Sequence, residues 1–324
     1  MQGMKPEVVL QLDKLQEKYR QDGQDLAAML EGLHLSDYIS YWDYIQLDTL
    51  LTLQKPRTKI ADEPIFIMYH QITELYFKLS LHELEPLVTR KVKATKEELV
   101  RRVKRVNRYF EALSTSFHIM AEGMERSQFL AFRMALIPAS GFQSAQYRLI
   151  EFASTALENL VKVEVRAQVN EQNPDPQTLY DNIYWMQGAT MEESGEKTLT
   201  LKQFEAKYTP LFMEKALAWR HSNLSMLWQE LSVEDQQDTV LKEAMRALDT
   251  QVNVDWPLQH YRTAAQYLAR QPSDAAATGG TNWRNYLPPR FQKRIFFPFL
   301  WSEQEQSEWG KKWVAQQTGG MTEE

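Results

Sequence analysis

The chain has 324 residues, with 43 acidic side chains against 37 Lys and Arg and a net charge of -6. That length supports a sizeable core, and the mild acidity, spread without a basic stripe, lacks the electrostatic footprint of a nucleic-acid binder. Cysteine is absent, which removes disulfide frameworks, thiolate nucleophiles, Cys-held zinc, iron–sulfur clusters and thiolate-ligated haem. Its 12 Gly and 13 Pro are fewer than the roughly 12 % of average usage, so a turn-rich sandwich or propeller is not expected. No apolar run approaches the roughly 18 residues that span a bilayer, and the N-terminus mixes charge with apolar residues where a signal peptide would have an apolar run. A soluble, cytoplasmic protein with neither nucleic-acid nor membrane partner is expected.

In chain order, residues 1–40 read as a helical extension and residues 41–324 as one helical domain without internal repeat or dividing linker. The apolar spacing of three and four predicts an all-α fold, a helical bundle with peripheral helices. Met68, Ile72, Leu75 and Leu79 mark one stripe. The same segment, if helical, places Phe66, His70 and Glu74 in one row, since residues four apart share a face. The row serves equally a core-edge imidazole with one partner and a titratable group lining a pocket. His82-Glu83 begins like a zinc-protease helix, but the position four after His82 is Pro86, so the two-His geometry fails. Lys91 to Arg108 reads as a solvated helix face.

Phe129 and Arg133 form another i, i+4 pair, just before the break Ile137-Pro138-Ala139-Ser140-Gly141. An Arg beside a ring near a broken helix end suits either a bidentate carboxylate clamp or an interhelical ion pair. Gln143, Gln146, Tyr147, Arg148 and Glu151 follow as a polar edge, read as a buried network or a site. Val169 to Lys197, rich in Pro, Asp and Glu, reads as an irregular excursion. Leu241, Met245, Leu248 and Val252 form a second stripe, with Ser232 and Asp235 in capping-box spacing expected to start its helix. Then come Asp255-Trp256-Pro257-Leu258-Gln259-His260 and, further on, Thr278-Gly279-Gly280-Thr281. A helical His with Trp256 one turn before it suits a haem ligand, because one neutral imidazole suffices for five-coordinate iron. A helix end with a linker is the plainer reading of the glycine pair. The 9 Trp, 14 Tyr and 14 Phe exceed a plain bundle's needs and point to apolar pockets or subunit contacts.

Together four stretches resemble the tryptophan 2,3-dioxygenase family, in order along most of the chain. They are Tyr41-Trp42-Asp43-Tyr44-Ile45-Gln46-Leu47-Asp48; Asp62-Glu63-Pro64-Ile65-Phe66 running into His70-Gln71-Ile72-Thr73-Glu74-Leu75-Tyr76-Phe77-Lys78; Phe132-Arg133 with Pro138-Ala139-Ser140-Gly141-Phe142-Gln143-Ser144; and His260 with Thr278-Gly279-Gly280. The resemblance implies a haem b (iron) enzyme, usually a homotetramer, that adds both atoms of O2 across the indole C2–C3 bond of L-tryptophan to give N-formylkynurenine. It makes His260 the proximal ligand, with Trp256 beside it at the cofactor. It places Phe66 and His70 on the distal side, His70 meeting the indole N–H. Arg133 corresponds to the substrate-carboxylate clamp, Phe129 to the ring wall, Thr278 to the group meeting ammonium and carboxylate, and Ser140 to a hydroxyl near the haem edge. Tyr41 and Tyr44 match tyrosines on an N-terminal segment exchanged between subunits. Ala61, Tyr76, Pro257 and Thr281-Asn282-Trp283 depart from the family pattern. A haem monooxygenase or hydroxylase of tryptophan- or tyrosine-like substrates and a non-catalytic haem or amino-acid sensor are the alternatives.

Overall fold

The computed structural model describes residues 3–35, 40–136, 143–171, 175–187, 190, 196–268 and 289–310. Among these the chain is helical, with no strand and two isolated bridges, Val161 to Ile183 and Thr190 to Lys197. The all-α expectation is met. By its contacts the chain divides into two compact units, Met1–Gln54 and Lys55–Glu324.

In the first unit, α1 (Pro6–Gln21) starts with Pro at its first turn and carries Glu7 there and Lys18 and Arg20 at its end, the polarity a helix dipole favours. Neither α1 nor α2 (Leu26–Leu35) buries a residue. The short helices α3 (Tyr41–Tyr44) and α4 (Leu47–Leu50) follow, α3 capped by Ser40, whose hydroxyl oxygen accepts from the Asp43 N–H.

The second unit begins by fixing the entry to its longest helix, α5 (Glu63–Val88). The buried Glu63 carboxylate accepts hydrogen bonds from the N–H groups of Arg57 and Thr58, each 2.7 Å long, and from the Thr58 hydroxyl. Burial alone would raise its pKa; those donors outweigh it and hold the carboxyl below its ordinary value. Helix α6 (Lys96–Ser116) packs along α5 through Leu99, Val103, Val106, Phe110 and Leu113. Glu97, Arg101, Lys104, Arg105 and Arg108 are exposed, the solvated face expected, while Glu98 and Arg102 pair nearer the core and Arg102 reaches the buried Glu83 of α5 at 3.2 Å. After α7 (His118–Glu122), α8 (Arg126–Phe132) and a 3-10 turn (Arg133–Leu136), α9 (Ala145–Ser154) lies against α5. Then come α10 (Val163–Glu171), α11 (Pro176–Asp181), α12 (Tyr184–Gln187), α13 (Leu199–Trp219), α14 (Leu224–Gln229) and α15 (Val233–Gln236). Helix α16 (Thr239–Thr250) passes through a π turn (Gln251–Asp255) into α17 (Trp256–Leu268), and α18 (Pro289–Gln292) and α19 (Glu303–Ser307) complete the order.

Met68, Ile72, Leu75 and Leu79 share a face of α5 as their spacing predicts, and that face is 43 to 50 % exposed, while Tyr69, Phe77, Leu81, Leu84 and Leu87 face inward. Helix α5 is apolar around much of its circumference, and periodicity cannot tell which of two apolar faces meets the chain's own core. Ser232 does accept from the Asp235 N–H, but it caps the one-turn α15; Asp238 caps α16, accepting from the Leu241 N–H at 2.9 Å. Ser232 and Asp238 are both favourable cap residues, and the one nearer the stripe begins its helix. The stretch from Val169 to Lys197 is no mere excursion, since Tyr180, Ile183 and Trp185 are fully or almost fully buried. Trp185 meets Phe204 and Phe212 edge-on at 5.5 and 6.3 Å between ring centroids, and rings of this size dominate core energetics at a few kcal/mol each.

The polar edge on α9 is a buried network. Glu151 accepts from Arg148 at 3.1 Å, and also from Arg294 and the Tyr184 hydroxyl, all four side chains lying almost completely out of solvent. Paired charges of this kind tolerate burial because each is hydrogen-bonded.

Candidate active site

The site's two histidines sit on different helices and obey the same local rule. On α5 the His70 ring is linked through Nδ1 to the Phe66 carbonyl, one turn back, at 2.7 Å. On α17 the His260 Nδ1 meets the Trp256 carbonyl at 3.0 Å. A carbonyl only accepts, so Nδ1 carries the proton in both rings and Nε2 presents a bare lone pair. Burial disfavours the charged imidazolium in each. For His70 the Phe66 carbonyl and Glu74 partly offset it and the pKa still falls. For His260 burial, aided by the charge of nearby His70, takes it down to about 4. Both rings are therefore neutral near pH 7, as ligation or acceptance of an N–H requires.

Aromatic rings enclose these imidazoles. Phe66 lies 4.1 Å from the His70 ring and reaches Phe132 and Phe129 at 5.8 and 6.4 Å. Phe129 in turn touches Tyr267 at 4.7 Å. The His260 ring packs between Trp256 at 4.5 Å and Phe117 at 4.6 Å. The helices bearing these rings are tied at their ends. Asp62 Oδ2 accepts the Glu125 N–H at 2.6 Å, and the Asp62 N–H donates to Gln128 Oε1 at 3.1 Å, fixing the start of α5 to α8. The Tyr267 hydroxyl donates toward the Met120 carbonyl at 2.9 Å, and Arg126 Nε donates to the Tyr267 carbonyl at 3.1 Å, which docks the end of α17 on the same corner.

Of the residues singled out from sequence, Phe66, His70, Phe129, Trp256 and His260 thus belong to one aromatic neighbourhood. Arg133 opens the 3-10 turn directly after α8, one turn beyond Phe129, whose carbonyl accepts its N–H. Tyr41 and Tyr44 lie on α3 in the N-terminal unit and are 71 and 78 % exposed. Ser140 and Thr278 fall outside the described residues. Sequence reasoning missed Phe117 and Tyr267, and quoted Phe132 in a motif without giving it a role. Tyr267 was within reach, being seven residues after His260 and so on the same helical face. Phe117 is joined to His260 only by the fold.

Among the described residues no cluster of three or more His, Asp or Glu side chains could hold a bare metal ion, and no helix is long and apolar enough to cross a membrane. A buried neutral His with its Nδ1–H committed and its Nε2 open, among rings, fits a flat aromatic macrocycle that brings its own ligands to the metal.

The family model described as tryptophan 2,3-dioxygenase matches residues 31–280. Relatives named tryptophan 2,3-dioxygenase include those of Polaromonas sp. (strain JS666), 29 % identical over 83 % of this chain and 88 % of the relative, and of Exiguobacterium sibiricum, 29 % identical over 82 % and 91 %. That of Ruegeria sp. (strain TM1040) is 41 % identical over a shorter stretch, 40 % of this chain and 45 % of the relative. The chain belongs to the tryptophan 2,3-dioxygenase family, a family of haem-dependent oxidoreductases.

Proposed function

We propose that the protein is a haem b dioxygenase that opens the indole ring of L-tryptophan with O2 to give N-formylkynurenine. The observation that carries this reading is the pair of neutral imidazoles, each with Nδ1 engaged by its own helix and Nε2 bare, in a ring-lined site on a family member. His260 would hold the iron through Nε2, its imidazole packed against Trp256; a bound haem would supply the chemistry that activates O2. His70 accepts the indole N–H and Phe66 and Phe129 flank the indole. Arg133 takes the substrate carboxylate, and Thr278 its ammonium and carboxylate, since a zwitterion entering a dry pocket needs both charges met. Ser140 would offer its hydroxyl to the haem. The enzyme works as a homotetramer, and Tyr41 and Tyr44 complete a neighbouring subunit's site.

Haem-loaded protein is reduced, mixed with L-tryptophan and air, and its product weighed. A gain of two oxygen atoms with loss of indole absorbance is the expected result. A gain of one oxygen atom, or a shifted haem spectrum without turnover, overturns it. The variant His260→Ala is expected to lose haem retention.

A further inference from the structure

The helix that carries His260 is interrupted just before it. Helices α16 and α17 run as one rod through the π turn Gln251–Asp255, with helical backbone angles at Thr250 and Trp256 on either side. Within the turn the Trp256 N–H donates five residues back, to the Gln251 carbonyl. At that same offset the next donor would come from residue 257 and serve the Val252 carbonyl. Residue 257 is proline, which has no N–H and whose ring collides with the carbonyl four residues back in a regular α-helix. Widening to a π turn relieves that collision. It leaves the Val252 carbonyl, on a fully buried residue, without the backbone donor the pattern calls for.

A side chain from another helix supplies it. Tyr147, buried on α9, donates its hydroxyl to the Val252 carbonyl at 2.8 Å. Burial raises its pKa, so the phenol keeps the proton it donates. Arg294 Nη1 donates to the Tyr147 hydroxyl oxygen at 3.2 Å, and the ring is seated against Phe77 at 5.4 Å. The turn matters because a π turn inserts one residue and rotates everything beyond it by about 100° relative to an unbroken α-helix. That rotation sets which face of α17, the one bearing Trp256, His260 and Tyr267, looks into the ring-lined site.

We infer that Tyr147 is a positioning residue for His260: its hydroxyl supplies the donor that Pro257 lacks at the Val252 carbonyl, and so holds the π turn that orients α17. The part of this that concerns iron rests on the function proposed above; the part that concerns the turn does not.

A double-mutant cycle with Tyr147→Phe and Pro257→Ala tests it, with two readouts. In haem-free protein, amide hydrogen exchange over residues 248–262 is expected to be about tenfold faster in Y147F, the factor carried by an unpaired buried carbonyl. In P257A, which has its own N–H at 257, adding Y147F is expected to change exchange by no more than about twofold. In haem-loaded protein, Y147F is expected to release haem to an apomyoglobin scavenger about tenfold faster and to shift the ferrous iron–histidine stretch, again only in the Pro257 background. Unchanged exchange in Y147F overturns the inference. So does an equal effect in both backgrounds, which would place the cost in the lost Arg294 contact or in packing. If His260→Ala retains haem as well as the parent, the proposed function fails, and the exchange measurements still decide the role of Tyr147.

Discussion

At the scale of single residues, the most specific expectation concerns His70. Its Nδ1 proton is given to the Phe66 carbonyl, so Nε2 acts toward a substrate only as an acceptor. Tryptophan methylated at the indole nitrogen has no N–H to offer and adds bulk at that point. His70→Ala is expected to lower kcat/KM for tryptophan about tenfold, the value of one buried hydrogen bond, and to narrow the gap between tryptophan and its N1-methyl analogue. Steady-state rates with both substrates check this; an unchanged ratio would remove His70 from the indole. Arg133→Lys keeps the charge and loses the planar fork, so kcat/KM for tryptophan is expected to fall about tenfold to a hundredfold, with little change for an indole lacking the amino-acid group. Much of this neighbourhood was legible because Phe66 and His70, Phe129 and Arg133, and Trp256 and His260 each sit one helical turn apart, a relation the sequence states directly. Phe117 was not legible, since its contact with His260 spans two helices and depends on how α6 and α17 cross.

At the scale of elements, the segment after α18 is held to the end of α16 by one buried carboxylate. Asp249 Oδ1 accepts from Asn253 Nδ2 at 2.7 Å and from the Phe296 N–H at 2.8 Å; Oδ2 accepts from the Phe297 N–H at 3.1 Å and Trp301 Nε1 at 2.9 Å. Asp249→Asn turns one acceptor into a donor facing donors, and is expected to destabilise the protein by about 2–5 kcal/mol. Burial, against those hydrogen bonds, lifts the Asp249 carboxyl from its ordinary 3.8 to about 6. A raised carboxyl favours the folded state most when protonated; its contribution is complete below pH 3.8 and is lost as pH rises through 6. The stability advantage of the parent over D249N in urea unfolding is therefore expected to shrink between pH 4 and pH 7, by at most about 3 kcal/mol; a growing advantage would contradict it. Nothing in the spacing around Asp249 marks it, because all but one of its partners lie nearly fifty residues or more away. Helix existence, by contrast, was readable from three- and four-residue periodicity. Starts were less so: Ser232 and Asp238 offer the same capping chemistry six residues apart, and only the position of the buried stripe chooses between them.

At the scale of the molecule, apolar side chains remain on the surface in an ordered pattern. Met68, Ile72, Leu75 and Leu79 run down the outer side of α5, opposite the face that packs on the core. In the N-terminal unit Met29, Leu30, Leu33, Leu35, Trp42 and Leu51 are also exposed, and α1 and α2 bury nothing. Single exposed leucines are ordinary, whereas a stripe about three turns long on the helix bearing Phe66 and His70 costs solubility unless another surface covers it. A helix apolar on two faces belongs inside something larger than one chain, and the homotetramer proposed above supplies that second surface. Ile72→Glu with Leu75→Glu puts two charges on the stripe without touching the inward residues Tyr69, Thr73 and Phe77. The pair is expected to shift the sedimenting species from tetramer to dimer or monomer, because an unpaired carboxylate in an apolar interface costs several kcal/mol, while far-ultraviolet dichroism stays that of the parent. Since His70 lies on the same helix, the dissociated form is also expected to lose activity. A variant that remains tetrameric would show that the subunits meet elsewhere and that this stripe faces water in the working enzyme.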